Sequence, residues 1–496
     1  MTIADAVAED IERFDTVVVG SGLAGCVAAC RSQELGSRTL LIDKADEPSC
    51  DSNTVLSGGS IHVANVHPLE SPERLRARID EVTDGDAEPG LATALAHNAG
   101  RGIAWLSSAG VLFEPVKADA TRAVLAPRRL FQDVHAWRDR GPHRTLTLLQ
   151  RRFAQFGGVL RGSSTLTDID VEGERIAGIS YSRHGETERV SARAVVLADG
   201  GFQANAQMLR AYVGPFADQI KLRGAPSGLG DALRLGERAG ASPVKLRYFY
   251  GHLLHIDSLR NDRLWPAPTL DPLLSQCILV DTTGARMIDE GLGGIAAANR
   301  IASSRDPRGS WIVGDARAWR DAEEVAGKLD DLNPRVIPDI EARGGAVHRA
   351  SDLRELAAMT GVDMAGLQET VRTFNAAHEA NRLGALSMPR SGTSRLLSEP
   401  AFFAIRCVPG ITFTMGGLRI DERARVVDVN GVPISGLLAA GGAAGGLQGS
   451  PSGGYVGGLI CALVFGLLAG EECAVQAVRA LDRDSRHASS NPTRPA

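Results

Sequence analysis

Residues 14–44 constrain the fold more than any other stretch of the chain. Residues 15–19 end in three valines after Asp15 and Thr16, and this β-branched run predicts a short buried parallel strand. A glycine-rich turn follows and opens an apolar helix that ends at Gly36, and residues 38–43 predict a second strand that closes on an acid. These elements form one complete βαβ unit. The turn between the first strand and the helix consists of Gly20, Ser21, Gly22, Leu23, Ala24 and Gly25.

The spacing of the glycines in this turn is typical of a dinucleotide-binding site. Gly20 permits the tight turn, Gly22 lets the backbone approach a pyrophosphate, and Gly25 lets the helix pack closely against the strand. The N-terminus of the helix adds unpaired N–H groups that suit a phosphate anion. Asp43 follows about 20 residues later, where an acid can bind the ribose hydroxyls. A glycine turn without a ligand is the alternative, and the complete βαβ unit disfavours it.

Size and composition allow a multidomain soluble protein. The chain has 496 residues, 44% of them hydrophobic and 23% charged, with a formal net charge of −5, and this length is enough for two or more domains. No basic block indicates nucleic-acid binding, and no cysteine or histidine spacing indicates a metal site. The N-terminus is unlike a signal peptide, and the apolar run 459–470 is too short to span a membrane. We therefore expect a cytoplasmic protein with no transmembrane segment, whose seven scattered cysteines are reduced.

Later segments also combine strands with glycines. A loop of small residues, 52–60, follows the second strand, and residues 194–201 predict another core strand that ends on glycines. A helix is predicted within residues 228–241. Residues 441–458 are very rich in glycine and precede a further helix. A close backbone crossing without a ligand is the alternative interpretation of these last glycines.

Composition changes near residue 242 and predicts an inserted domain. The next 150 residues or so contain aromatics, prolines and helical patches but no second dinucleotide fingerprint. We assign 14–241 and 395–481 to one cofactor-binding domain and 242–394 to a cap inserted in it. Residues 1–13 and 482–496 are expected to be disordered tails.

Four blocks of the sequence together resemble the flavoprotein family of fumarate reductase, succinate dehydrogenase, tricarballylate dehydrogenase and 3-ketosteroid Δ1-dehydrogenase. The blocks are residues 17–44, 53–60, 195–201 with 228–241, and 410–470. They are most similar to the branch of tricarballylate dehydrogenase and 3-ketosteroid Δ1-dehydrogenase. The resemblance implies an α/β fold, a Rossmann-type FAD-binding domain with an inserted α+β cap domain, which agrees with the cap inferred from composition.

The resemblance also implies which residues contact FAD. Besides the first turn and Asp43, they are Lys44, Asn53, Thr54, Ser57, Gly58, Gly59, Ala198, Asp199, Gly200, Asp231, Gly441, Gly442, Gly457, Gly458 and Leu459. Asn53 stands where succinate dehydrogenases attach FAD through a histidine, so non-covalent FAD is expected. Gly442 replaces a glutamate that usually contacts the ribityl chain.

The residues with which the family binds dicarboxylates are missing at their usual positions. Phe413 stands where fumarate reductases have a histidine, and residues 291–294 and 451–458 lack their two arginines. Since paired arginines bind dicarboxylates bidentately, fumarate or succinate is a poor candidate substrate. A ketone or a less charged acid fits better.

Few side chains are available for acid–base chemistry. Dehydrogenation next to a carbonyl needs a hydride acceptor, a base for the α-proton and donors for the enolate oxygen. Our catalytic candidates are Tyr455 in the glycine loop and Tyr248, Tyr250 and His252 at the start of the cap. His252 aligns with a substrate-binding histidine of fumarate reductases. Packing roles are the alternatives for all four, and a tyrosine pKa of about 10 suits a base only when a neighbour lowers it.

We therefore predict an FAD-dependent dehydrogenase that introduces a C=C bond α,β to a ketone or carboxylate. Hydride would pass to flavin N5 while a side-chain base removes the proton. The expected partners are a small carbonyl or carboxylate substrate and a separate electron acceptor, either a quinone or an electron-transfer protein. An enoate reductase fed by a separate donor and a flavin-binding protein without catalysis are the alternatives.

Overall fold

The computed structural model describes residues 11–48, 50–115, 120–128, 137–321 and 336–489, with the side chains of the last helix described to residue 477. Its α-helices are α1 (Leu23–Glu34), α2 (Asn53–Leu56), α3 (Pro72–Val82), α4 (Pro89–Ser108), α5 (Gly141–Gln155), α6 (Ala206–Met208), α7 (Asp231–Arg238), α8 (Gly294–Ala302), α9 (Val336–Ala342), α10 (Leu353–Thr360), α11 (Met364–Glu379) and α12 (Gly458–Ser489).

The strands are β1 (Glu12–Val19), β2 (Thr39–Ile42), β3 (Ser60–Ile61), β4 (Phe113–Glu114), β5 (Ala123–Leu125), β6 (Val159–Arg161), β7 (Ser164–Glu172), β8 (Arg175–Arg183), β9 (Glu186–Leu197), β10 (Lys221–Leu222), β11 (Pro243–Val244), β12 (Phe249–His255), β13 (Ile278–Val280), β14 (Ser310–Gly314), β15 (His348–Ala350), β16 (Phe402–Thr414), β17 (Gly417–Arg419), β18 (Arg425–Val427), β19 (Pro433–Ala439) and β20 (Ala444–Gly445).

An eight-stranded sheet forms the core of the cofactor-binding domain. Its order is β18-β19-β8-β9-β1-β2-β6, and β7 pairs with β8. The strands β2, β1, β9 and β19 are parallel, and Val19, Leu197 and Ala439 pair side by side where three of them end. Ligands of open α/β sheets bind at the carboxyl ends of the strands. This edge therefore marks the expected cofactor site, and the predicted α/β class is confirmed.

The helices α1 and α12 cross at very short distance behind this edge. A Cβ atom on Gly466 would lie 2.7 Å from the carbonyl oxygen of Ala24, and one on Gly470 would lie 2.6 Å from that of Ala28. Among the described residues, Gly458–Ala477 is the one helical segment long and apolar enough to cross a membrane, and 67% of its most apolar window is buried inside the protein. The segment is thus packed as a core helix.

A second sheet carries the cap, and its centre is β16. This long strand pairs with β10, β12, β14 and β15, and β14 pairs with β13. Because β16 begins at Phe402 and pairs with the strands of the cap, the cap extends beyond the predicted boundary at residue 394. Nearly all residues of β16 are buried. The sequence pattern of a long apolar strand does not reveal which of two sheets it joins.

Both expected tails are shorter than predicted. Glu12 and Arg13, assigned to the N-terminal tail, pair with Val190 and Ser191 and extend β1. At the other end, α12 continues through residue 482 to Ser489. Residues 1–10 and 490–496 lie outside the described part of the chain.

The crossing of α1 and α12 gives a stability prediction. Gly466→Ala places a methyl group against the backbone of Ala24, so the helices must separate, and we expect unfolding to cost about 1–3 kcal/mol less. Gly100→Ala in α4 is the control, because its Cβ would meet nothing closer than 3.8 Å and alanine favours a helix by up to about 1 kcal/mol. Denaturant unfolding of the two variants measures the difference, and equal stability of both variants contradicts the assigned crossing.

Candidate active site

At two of the three glycines of the first turn, neighbouring protein atoms leave no room for a side chain. Gly20 has a φ of +97°, and a Cβ there would lie 2.5 Å from the carbonyl oxygen of Ala198. A Cβ on Gly25 would lie 1.7 Å from the carbonyl oxygen of Gly20. These positions exclude any side chain, as the fingerprint predicts for the tight turn and for close packing of helix on strand.

Gly22 differs because the protein itself leaves room for a side chain. The nearest atom to a Cβ on Gly22 would be the Thr54 hydroxyl, at 3.6 Å. The turn leads into α1, where Leu23 donates its N–H to the same hydroxyl at 3.0 Å. Absence of a side chain at Gly22 is therefore not needed for folding, and it suits the approach of a pyrophosphate to the start of the helix.

Asp43 and Lys44 connect the second strand to the rest of the cradle. Asp43 is buried, and its carboxylate accepts hydrogen bonds from the N–H and the hydroxyl of Ser21 at 2.6 and 2.7 Å. Burial raises the pKa of Asp43 above its ordinary value. Lys44 forms an ion pair with Asp231 at 2.9 Å and donates to the carbonyl oxygen of Ser227. The predicted cofactor residues Asp43, Lys44 and Asp231 thus lie close together.

Asp199 at the end of β9 has an unsatisfied oxygen. One carboxylate oxygen accepts the N–H of Ala232 at 3.1 Å, whereas the other is buried without a hydrogen-bond partner among the described residues. Burial raises the pKa of Asp199 to about 6, although Lys44 partly opposes this rise. A buried oxygen without a hydrogen bond costs stability. A hydrogen-bond donor on a bound molecule would remove this cost at Asp199.

The loop after the second strand is hydrogen-bonded to the segment that contains Ala225. Asn53 accepts the N–H of Ala225 at 2.8 Å, and Ser57 bonds to its own loop through Thr54 and Gly59. Gly58 is exposed with open space around it. Asn53 occupies the position at which succinate dehydrogenases attach FAD to a histidine, and here its side chain holds the neighbouring loop. This agrees with the expectation of non-covalent FAD.

The glycine loop before α12 meets the first turn. A Cβ on Gly441 would lie 2.9 Å from the Cβ of Ala24, and one on Gly442 would lie 3.1 Å from the backbone nitrogen of Gly201. At the far end of the loop, Gln448 accepts the N–H groups of Val456 and Gly457. The start and the end of the cofactor-binding domain therefore form one cradle, and its open Gly22 and unpaired Asp199 fit an FAD.

Two tyrosines stack where this loop faces the cap. The rings of Tyr250 and Tyr455 are 4.0 Å apart between centroids and 24° from parallel. Phe413 lies 5.3 Å from the ring of Tyr250 and also borders Gly458, where a Cβ would meet the Phe413 ring at 3.1 Å. Gly458 donates its N–H to the hydroxyl of Tyr455 at 3.2 Å. The tyrosine pair is thus fixed at the first residue of α12.

A histidine and an aspartate extend the tyrosine pair into the cap. His252 Nε2 lies 2.9 Å from the Tyr250 hydroxyl, and His252 Nδ1 lies 2.5 Å from a carboxylate oxygen of Asp271. The other Asp271 oxygen accepts the N–H of Leu253 at 2.8 Å. Asp271 packs against Gly294, where a Cβ would lie 2.0 Å from its carboxyl carbon, so the N-terminus of α8 stabilises its negative charge.

Two arginines influence the tyrosine pair. Arg223 donates from Nη1 to the Thr412 hydroxyl at 2.8 Å and from Nε to the carbonyl oxygen of Pro266 at 3.1 Å. Burial raises the pKa of both Tyr250 and Tyr455, and the positive charges of Arg223 and Arg122 oppose the rise at Tyr250. Both phenols therefore stay protonated at neutral pH in the resting site.

The structure unites three of the four catalytic candidates and separates the fourth. Tyr248 packs against Gly449 and beneath the guanidinium of Arg247, and none of its described contacts involves the tyrosine pair. Asp271 and Arg223 belong to the site and were not predicted. Asp271 had no signal beyond its Asp-Pro dipeptide, and Arg223 stands in a loop without a motif.

A nucleotide cradle at the carboxyl edge of a parallel sheet, facing a pocket of tyrosines beneath a cap, defines the class of Rossmann-type flavoproteins. The model of the FAD binding domain family matches residues 15–455. The chain belongs to this family and is an FAD-dependent oxidoreductase, as the resemblance implied.

Named relatives fall into two groups. The chain is 26% identical to the probable fumarate reductase Ifc3 of Shewanella frigidimarina over 87% of its own length and 70% of that protein. It is 25% identical to the 3-oxosteroid 1-dehydrogenase of Mycobacterium tuberculosis over 94% of its own length and 99% of that protein. The structure of 3-ketosteroid Δ1-dehydrogenase from Sterolibacterium denitrificans matches with a TM-score of 0.71 and 19% identity, covering 94% of this chain and 100% of that one. This last match shows the shared fold.

The open space at Gly22 generates a prediction about cofactor binding. Gly22→Ala should leave the stability of the FAD-free protein within about 0.5 kcal/mol but weaken FAD binding at least about tenfold, because the methyl group occupies the approach of the pyrophosphate. Gly25→Ala is the matched contrast and should destabilise the FAD-free protein itself. Thermal unfolding and FAD titration measure both effects. Equal FAD affinity of Gly22→Ala and wild type would exclude the assigned cradle.

The raised pKa of Asp199 predicts a pH-dependent stability. Between pH about 4 and about 6 the folded FAD-free protein keeps a proton on Asp199 that the unfolded chain has lost, so its contribution to stability falls as pH rises through this window. The Asp199→Asn variant should therefore be more stable than wild type by on the order of 1–2 kcal/mol above pH 6, and almost equally stable at pH 4. Asp168→Asn, which changes a half-exposed acid paired with Arg238, is the control in denaturant unfolding across this range. A pH-independent difference would contradict the prediction.

Proposed function

We propose that the protein is a dehydrogenase that introduces a C=C bond α,β to a ketone or carboxylate and uses non-covalent FAD. The observation that carries this proposal is the stacked pair of Tyr250 and Tyr455, hydrogen-bonded to His252 and fixed at Gly458. It provides a proton donor and a proton acceptor at one place, which α,β-dehydrogenation requires. The likeness to a named 3-oxosteroid 1-dehydrogenase over almost its full length supports the same chemistry.

Tyr455 is the donor to the substrate oxygen. Its hydroxyl accepts the N–H of Gly458, so its own proton can be donated to a carbonyl oxygen. Burial raises the pKa of Tyr455, which keeps this proton in place at neutral pH. A donor that stays protonated stabilises the negative charge of a developing enolate.

Tyr250 is the base, with His252 and Asp271 behind it. A carboxylate only accepts hydrogen bonds, so in the proposed resting state Nδ1 of His252 donates to Asp271 and Nε2 accepts from the Tyr250 hydroxyl. As the α-proton arrives on the Tyr250 oxygen, the phenol's own proton moves to His252 Nε2. The positive charge that forms on His252 is balanced by Asp271, which pairs with it directly.

Bound FAD supplies the hydride acceptor for the β-carbon, and it would return its electrons to a quinone or an electron-transfer protein. The protein side of the site would orient the substrate oxygen toward the hydroxyl of Tyr455. Reduction of an enoate is the second candidate function, because the chain is also similar to a probable fumarate reductase. In that direction the same tyrosines would supply the proton.

Anaerobic mixing decides between these directions. A panel of cyclic ketones, ketosteroids and tricarballylate should bleach the flavin of the FAD-loaded protein in the dehydrogenase direction. Bleaching by none of them, together with turnover of an enoate by a chemically reduced protein, would show that the protein works as a reductase. Failure in both directions would leave a flavin-binding protein without catalysis.

Substitution of the tyrosines tests their roles with the substrate found in this way. Tyr250→Phe and Tyr455→Phe should each slow flavin reduction about 10²–10⁴-fold, since each removes a proton-transfer or donor group, while FAD content stays unchanged. Tyr212→Phe is the control, because Tyr212 is exposed and packs on Phe202. Rates of stopped-flow flavin bleaching measure the effects, and wild-type rates in both variants would refute the assigned roles.

A further inference from the structure

Arg223 lies on the same face of the cap sheet as the catalytic cluster. Strands β10 and β12 both pair with β16, so Lys221 and His252 flank Gly410 from opposite sides. Residues two positions apart in a strand share a face, and Arg223 follows Lys221 by two while Tyr250 precedes His252 by two. Arg223 also donates its N–H to Ile411 and so continues this pairing.

The guanidinium of Arg223 is only partly satisfied by the protein. Its two hydrogen bonds go to neutral oxygens, the Thr412 hydroxyl and the Pro266 carbonyl, and no carboxylate among the described residues lies within ion-pair distance. Other arginines with little exposure have such a partner, as Arg161 has Glu12 and Arg286 has Glu290. A cation held among protein atoms without an anion is costly.

The nearby groups do not neutralise this charge. Asp271 feels the charge of Arg223, but its oxygens are used by His252 and by the N–H of Leu253. The two phenols are neutral because burial raises the pKa of both. Among the described residues, no carboxylate therefore pairs with the guanidinium of Arg223 beside the tyrosines.

We propose that Arg223 binds a carboxylate group of the substrate and so makes an anionic acid, rather than a neutral ketone, the preferred substrate class. The inference rests on the proposed function, which left ketone and carboxylate open. A guanidinium presents parallel N–H groups that match the two oxygens of a carboxylate. The family's two dicarboxylate-binding arginines are missing at residues 291–294 and 451–458. Arg223 lies outside both ranges, so it would bind an anion from a different position in the chain.

Binding of malonate to the FAD-loaded full-length protein tests the proposal without turnover. Malonate should perturb the flavin absorption spectrum of wild type and bind at least tenfold more weakly to Arg223→Gln, whereas Arg223→Lys should retain part of the affinity. Cyclohex-2-enone, a neutral probe, should bind all three proteins within about twofold. Arg210→Gln, which removes a surface arginine paired with Asp218, is the matched control and should bind malonate like wild type.

Several outcomes overturn the proposal. They are no binding of malonate to wild type, unchanged malonate affinity in Arg223→Gln, or an equal loss for malonate and cyclohexenone. FAD content and melting temperature show whether each variant is folded. If Arg223→Gln is misfolded, the malonate affinity of Arg223→Lys is compared with that of wild type instead. Failure of every saturated compound to bleach the flavin would instead refute the dehydrogenase function while the malonate result stands, so the two failures are distinguishable.

Discussion

The close contact between the first helix and the last one is the constraint on which the site depends. Gly466 and Gly470 have no side chains at the points where the backbone of α1 approaches, and Gly441 has none where the Cβ of Ala24 approaches. This contact places the glycine loop against the first turn, and the loop in turn fixes Tyr455 at the start of α12. The nucleotide cradle from one end of the chain and the proposed proton donor from the other thus share one unit, whereas the proposed base comes from the cap.

The division between these two units explains the arrangement of the chemistry. Tyr455 belongs to the cofactor-binding domain, while Tyr250 and His252 lie on β12 of the cap sheet. The tyrosine stack is therefore a contact between the domains, made at the place where we propose that substrate and cofactor meet. Phe413, on the neighbouring strand β16, packs on Tyr250 and also borders Gly458. An apolar ring at that point holds the two domains together without adding a titratable group.

Local patterns predicted the parts of the molecule that are local. The βαβ unit with its glycines and Asp43 was predictable because its signal lies in consecutive residues, and Tyr250 and His252 share a face because they are two apart in one strand. Asp271 and Arg223 were missed because they reach the site only through tertiary contacts, with Gly294 and with β16. The same reason hid the membership of β16 in the cap, since pairing partners far apart in the sequence decide it.

The distribution of charge in the site connects the proposed binding of the substrate with the proposed removal of its α-proton. Three acids of the site have partners, Asp43 on Ser21, Asp231 on Lys44 and Asp271 on His252, whereas Asp199 keeps one oxygen unpaired among the described residues. The charges of these three acids are thus used to build the cradle and the proposed relay, and none of the three forms an ion pair with Arg223. In the proposed mechanism, the positive charge of Arg223 lowers the cost of the enolate that develops beside Tyr455. If Arg223 binds the carboxylate of an anionic substrate as proposed, the same charge would therefore also favour removal of the substrate's α-proton.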